Sequence, residues 1–208
     1  MREMITKVYN FNELSDEAKE KAIETHRYDF CDALSGENWE SIRAIAKACS
    51  LEVVSNNYNG TGFSHFVLES SDYNNYYDIV ALHGSRAVAY IYNNWIRPNM
   101  NGKYYATPGK WIDGVYTYTH TRSKCTLEFS CPFTGYYIDD CLIIAYKKFC
   151  ECVRINPLFN VGDFVGVLSE CVSEFLQNDY NYSISDENIA SMLDCNDYEF
   201  LENGVDYK

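Results

Sequence analysis

Long apolar runs are absent from this 208-residue chain: no 18-residue apolar span occurs, and Met1-Arg2-Glu3-Met4-Ile5-Thr6-Lys7 lacks the continuous apolar core of a secretion signal. The expectation is a soluble protein, without membrane contact, that stays in the compartment where it is made. Histidine is scarce. There are four (His26, His65, His83 and His120), none four positions from another, and no Cys-x-x-Cys pair exists. Cys150 and Cys152 come closest, but side chains two apart on a helix diverge. Such spacings give a zinc site no starting point, and no metal or cofactor is expected. Phosphate-cradling loops are missing too. Asn59-Gly60-Thr61-Gly62 has two glycines without a following Lys-Ser/Thr and reads as a tight turn, while Thr134-Gly135 offers one glycine before a helix.

Cations are lacking in one place above all. From Asn156 to Lys208 the chain carries eleven carboxylates against one cation, Lys208, a formal −10 out of −13. Residues 84–155 hold nine Lys/Arg and five Asp/Glu, and residues 1–83 hold seven and fourteen. One end of the sequence is therefore strongly acidic. Such a surface repels nucleic acid and membranes and attracts basic protein grooves at long range. Within it Glu170, Glu174, Asp179, Asp186, Glu187, Asp194, Asp197 and Glu199 are the candidate partner-binding residues, and no catalytic residue is assigned.

What is present suffices for a core. Apolar residues make up 47% of the chain, enough for a compact fold, so a single α+β domain over 1–208 is expected, with 99–114 as a mobile loop and 156–208 as an acidic helical subregion. Nine cysteines, an odd number in a chain too large to need stapling, read as reduced thiols. The helices announce themselves by period. Ser15 caps a helix whose face is Ala18, Ala22, Ile23, His26 and Phe30, and a second runs from about Glu37 to Cys49. Residues 85–97 form a third, ended by Pro98. A long helical pair follows, 134 or 135 to 153 and 161 to 180, parted by Pro157. Ser185-Asp186-Glu187 starts a last helix before a short strand at 198–201 and an Asn203-Gly204 turn. A small mixed or antiparallel sheet is expected from segments near 51–54, 63–69, 115–119 and 124–131, covered by the helices.

Asp139-Asp140 is the one carboxylate pair near a helix start, and adjacent helix positions point about 100° apart, which favours a role in the first turn over a metal site. Nineteen tyrosines are the other departure from the average. Interleaved with Arg86, Arg97, Lys103, Lys110, Arg122 and Lys124 they could stack bases, but strand and core packing accounts for them more simply. Tyr beside Asp and Glu is also the composition of protein surfaces that imitate nucleic acid, with carboxylates standing for phosphates.

The segment Lys7-Val8-Tyr9-Asn10-Phe11-Asn12-Glu13-Leu14-Ser15-Asp16-Glu17-Ala18-Lys19-Glu20-Lys21-Ala22-Ile23 resembles the start of a widespread group of proteins encoded by phages and mobile elements of Firmicutes. Ser185-Asp186-Glu187-Asn188-Ile189-Ala190 and Asn196-Asp197-Tyr198-Glu199-Phe200-Leu201-Glu202-Asn203-Gly204 resemble its terminal segment, and Cys131-Pro132-Phe133-Thr134-Gly135 is similar to a stretch of it. The resemblance implies a phage protein acting in a bacterial cytoplasm, and it supplies no catalytic residue. With the acidity it leads to the expectation of a stoichiometric inhibitor, an anti-CRISPR, whose partner is a basic nucleic-acid-binding protein such as a CRISPR effector. Two alternatives stay open: an antitoxin-like binding module, or an enzyme in which residues such as Cys131, His120 or Asp139 converge in one pocket.

Overall fold

The computed structural model describes residues 6–31, 35–54, 65–68, 78–99, 110–112, 115–117 and 133–207. In its first half it gives β1 (Tyr9–Asn10), α1 (Asp16–His26), α2 (Ser35–Ala48), β2 (Leu51–Val54), β3 (His65–Leu68) and α3 (Gly84–Ile91). Then come β4 (Lys110–Ile112), β5 (Val115–Thr117), α4 (Cys141–Ile155), α5 (Val161–Ser183), α6 (Asp186–Cys195) and β6 (Glu199–Phe200). The class is α+β, and among the described residues the strands pair antiparallel. They form three separate two-stranded ladders, β1 with β6, β2 with β3 and β4 with β5, where the sequence suggests one small sheet. The strands are only two to four residues long, so each offers its neighbour little more than one ladder.

The chain divides into two compact units: residues 1–39, 55–63 and 173–208 make the first, and residues 40–54 and 64–172 the second. The stretch 156–208 is thereby split, its first seventeen residues lying in the second unit. Unit 1 is built around α1 and α6. Ser15 caps α1 by accepting the Ala18 N–H at 3.3 Å, and Ser185 caps α6 by accepting from Asn188 N at the same distance. Ala18 and Ala22, one turn apart on α1, meet Ile189 and Leu193 of α6, and Phe11, Leu14 and Phe200 complete a closed apolar cluster. β1 and β6 pair Tyr9 with Phe200, residues 191 positions apart, and so fasten the two ends of the chain together.

Unit 2 packs α3, α4 and the first half of α5 around Phe149, Phe164 and Trp95. Asn160 and Asp163 cap α5 reciprocally, each backbone N–H bonded to the other's side-chain oxygen at 2.7 and 3.1 Å. The β2–β3 ladder is tied to α5 where Phe66 N–H donates to Ser169 Oγ at 3.0 Å. The helix expected over 85–97 changes pitch after Ile91, becoming a π turn over Tyr92–Ile96 and a 3-10 turn over Arg97–Asn99. The wider turn carries both Trp95 and Ile96 into the core.

The reading of 99–114 as one loop is corrected at both its edges: Asn99 closes the 3-10 turn, and Lys110–Ile112 is a strand. Residues 100–109 and 113–114 lie outside the described residues, as does the strand expected at 124–131. Seven cysteines are free thiols, and Cys125 and Cys131 lie outside the described residues.

Candidate functional site

The two units share the charge very unequally. Unit 1 has 18 Asp/Glu and six Lys/Arg, a formal −12, whereas unit 2 has 12 and 11, a formal −1. Acidity that looks C-terminal in the sequence is in fact assembled from both ends of the chain, because α1 brings Asp16, Glu17, Glu20 and Glu24, all exposed, to the unit that holds residues 173–208. Asp163 and Glu170 belong instead to the nearly neutral unit.

The eight candidate carboxylates are accordingly not equivalent. Glu170, exposed on α5, stands in unit 2, and the other seven stand in unit 1. Asp179 accepts from Asn38 Nδ2 at 3.1 Å, Asp186 pairs with Arg27 Nη1 at 2.8 Å, and Asp194 accepts from Asn12 Nδ2, all within the unit. Asp197 sits at φ +53°, a left-handed position that a short polar side chain tolerates, so its identity has a backbone reason. Glu174, Glu187 and Glu199 are exposed. The same unit displays Tyr28 and Tyr182, each more than 60% exposed, and Tyr207 at its C-terminal tail.

A second feature of unit 1 is a histidine between two acids. His26 ends α1 on the same apolar face as Ala22 and is only 4% exposed. Its Nδ1 lies 2.6 Å from Asp29 Oδ2 and its Nε2 lies 2.8 Å from Asp206 Oδ1. Two ionised carboxylates are both satisfied only when each ring nitrogen carries an N–H, so the arrangement favours the imidazolium form. Tyr198 meets it edge-on at 5.1 Å. Burial alone would lower the pKa, but the hydrogen bonds to Asp206 and Asp29 outweigh it and hold His26 above its usual 6.5. Both nitrogens are spent on these bonds, and the ring has none left to take a proton from a substrate. Its work is to fasten the tail to α1, a contact spanning 180 positions. The periodicity of α1 placed His26 on the core face; Asp206, far away in sequence, gave no signal.

The sign of the pH effect follows. A raised pKa in the folded state adds stability that is complete below about pH 6.5 and is lost as pH climbs through the folded-state value. Thermal melts taken from about pH 6 to about pH 9 should show this loss in the wild type, with a flatter profile in His26→Gln. A wild-type melting temperature that rises across this window, with His26→Gln rising in parallel, contradicts the assignment.

Of the residues considered for catalysis, Cys131 and His120 lie outside the described residues. Asp139 is fully buried, and its Oδ2 accepts from the backbone N–H groups of Phe133, Thr134 and Gly135 at 2.8 to 3.1 Å. Thr134 Oγ1 also reaches Asp139 Oδ1 and pairs with Ser41 Oγ. The carboxylate thus organises the loop that enters α4 and presents nothing to solvent. Cys49 and Cys141 are buried, and burial pushes both thiols up to about 12, which removes the thiolate a nucleophile needs. Among the described residues, no group of three or more His, Cys, Asp or Glu is arranged to hold a metal ion, and no helix is long and apolar enough to cross a membrane.

No protein-family model matches the chain, and neither a curated protein nor a solved structure is significantly similar to it.

Proposed function

We propose that this protein is a stoichiometric inhibitor of a nucleic-acid-dependent defence protein, an anti-CRISPR whose acidic unit occupies a basic nucleic-acid-binding groove. The observation that carries the reading is the partition of charge, −12 on one compact unit and −1 on the other. A groove that binds nucleic acid is lined with Lys and Arg and draws in whatever displays dense negative charge. Exposed Tyr28, Tyr182 and Tyr207 supply what charge alone lacks, rigid amphipathic contact area at low entropic cost. The action belongs to a bacterial cytoplasm, where such effectors work.

Charge reversal tests it, with sites chosen so that no internal tie breaks. Glu187 and Glu199 are exposed, and Glu199 engages β1 and Tyr207 through its backbone. Glu187→Lys with Glu199→Lys should slow association with a purified CRISPR effector by about tenfold at low salt and leave the melting temperature nearly unchanged. Affinity of the wild type should fall as salt rises, because exposed pairs are screened beyond about 8 Å at physiological ionic strength. Asp186→Lys is the informative contrast: it also breaks the pair with Arg27 and should cost stability as well as affinity. Inhibition that ignores salt, survives the double reversal and leaves guide or target nucleic acid bound would overturn the reading.

A further inference from the structure

Beside the histidine latch, unit 1 carries an open hollow of about 570 Å3 lined by Thr6, Thr25, Leu201, Val205, Asp206 and Tyr207. Its polar groups are biased towards accepting. Asp206 supplies a carboxylate, and Thr25 has already committed its hydroxyl proton to Lys21 O at 2.8 Å, leaving only lone pairs. Three backbone donors of the tail are spent as well: the N–H groups of Leu201, Val205 and Tyr207 bond to Val205 O, Asn203 Oδ1 and Glu199 O. An anion would find no partner among them. Leu201 and Val205 make the remaining wall apolar.

We propose that this hollow is a slot for an aliphatic cation, the side chain of a lysine or arginine, which lies along Leu201 and Val205 and sets its charged head against Asp206. The chemistry of the walls matches both halves of such a side chain, an apolar stem and a donor-only head. The inference rests on the proposed function only for the source of the side chain, a Lys or Arg of the basic groove. It makes this slot the place where one residue of the partner is anchored rather than merely attracted.

His26 gives the slot a signature that an unspecific acidic surface lacks. Among the described residues, the charged or titratable groups facing the ring are Asp29 from the turn after α1, Asp206 from the tail and Tyr198 beside β6, and the Phe200 ring meets it edge-on. Arg27, next along the chain, turns away to Glu24 and Asp186. Two carboxylates around one imidazolium leave a net negative charge, enough to receive a cation. That cation and the proton on His26 nevertheless repel each other through the shared Asp206. Deprotonating His26 therefore favours the ligand, and by reciprocity the ligand lowers the affinity of His26 for its proton.

The test uses the full chain and two small probes, Nα-acetyl-lysine N-methylamide and its uncharged norleucine counterpart, followed by two-dimensional NMR. The lysine probe should shift the amide signals of Thr25, Val205, Asp206 and Tyr207, bind about threefold or more tightly at high than at low pH across the His26 titration, and move that titration downward. Norleucine should do none of this, and Val205→Trp, at a position 41% exposed, should block the slot without opening the core. Should that variant misfold, the wild-type pH series decides alone. Equal binding of norleucine, pH-independent binding of lysine, or shifts confined to other residues would overturn the slot. Those failures leave the acidic-groove reading standing if the double charge reversal still slows association, whereas a bound probe with an unaffected reversal would remove that reading and keep the slot.

Discussion

Phe164→Ala is expected to destabilise the protein by about 3–5 kcal/mol, which is a large part of the stability of an ordinary domain. Phe164 is fully buried in unit 2, with the Phe149 ring at 5.5 Å edge-on and the Trp95 ring at 5.6 Å. Removing it strips both neighbours of an aromatic face and leaves a cavity that three helical segments, α4, α5 and the π turn, would have to collapse together to fill. They are held apart from outside the cavity: the reciprocal Asn160 and Asp163 cap fixes the start of α5, and Gly84 N–H to Phe159 O at 2.9 Å fixes the entry of α3. Poor relaxation puts the expected value at the upper end of the range. Phe164→Leu keeps most of the volume and should lose about 1–2 kcal/mol. Urea titration read by Trp fluorescence measures both, since Trp95 touches the deleted ring. A loss below about 1 kcal/mol for the alanine variant would mean that the cluster is not the core of unit 2.

The elements of this unit were legible because helical spacing needs no knowledge of partners. Ile42, Ile45, Ala46 and Cys49 repeat at three and four positions and are buried, as are Leu142, Ala145 and Phe149. In unit 1, Ser15 is read as a cap and Ser185 as part of a helix start, and both act as caps. What spacing does not reveal is where a turn widens. Tyr92–Ile96 has no Gly or Pro to mark the π turn, and its cause is tertiary, the need to bury both Trp95 and Ile96. Pairing of strands is equally non-local. Tyr9 and Asn10 show no alternation that could announce a strand, and they become one because Phe200 and Glu199 arrive beside them.

The acidic face was half legible. Charge along the sequence identified the C-terminal stretch but treated it as a segment, and a segment is not a surface. Folding moves Glu170 out of the acidic unit and brings Glu17, Glu20 and Glu24 into it, because helix α1 packs on α6. Charge counting also cannot tell a free carboxylate from a tied one: Asp179, Asp186 and Asp194 look identical in sequence to Glu187 yet are bonded to Asn38, Arg27 and Asn12. The latch was invisible for the same reason, since only His26 and Asp29 lie within one turn of each other.

Gly204→Ala should be the most damaging substitution in unit 1. Gly204 holds φ at +75°, where an L residue is strained by about 1–2 kcal/mol, and a Cβ built there would stand 2.2 Å from the carbonyl oxygen of Ala18 and 2.9 Å from its carbonyl carbon. That neighbour is helix backbone and cannot rotate away. Either the tail lifts off α1 or α1 shifts against α6, and each breaks the Phe200 cluster. The combined penalty should reach about 3 kcal/mol or more, in the range of the severe single mutations. Gly84→Ala is the milder contrast: it has a similar φ of +57°, and its Cβ would meet Pro157 O, also backbone, at 2.9 Å, a much shallower overlap than 2.2 Å. Chemical denaturation should therefore rank Gly204→Ala well below Gly84→Ala in stability. Because a lifted tail also carries Asp206 away from His26, NMR of the histidine ring should report a titration nearer to 6.5 in Gly204→Ala alone. Equal losses in the two variants, with an unaltered His26, would show that the turn at Gly204 yields without disturbing the contact between tail and helix.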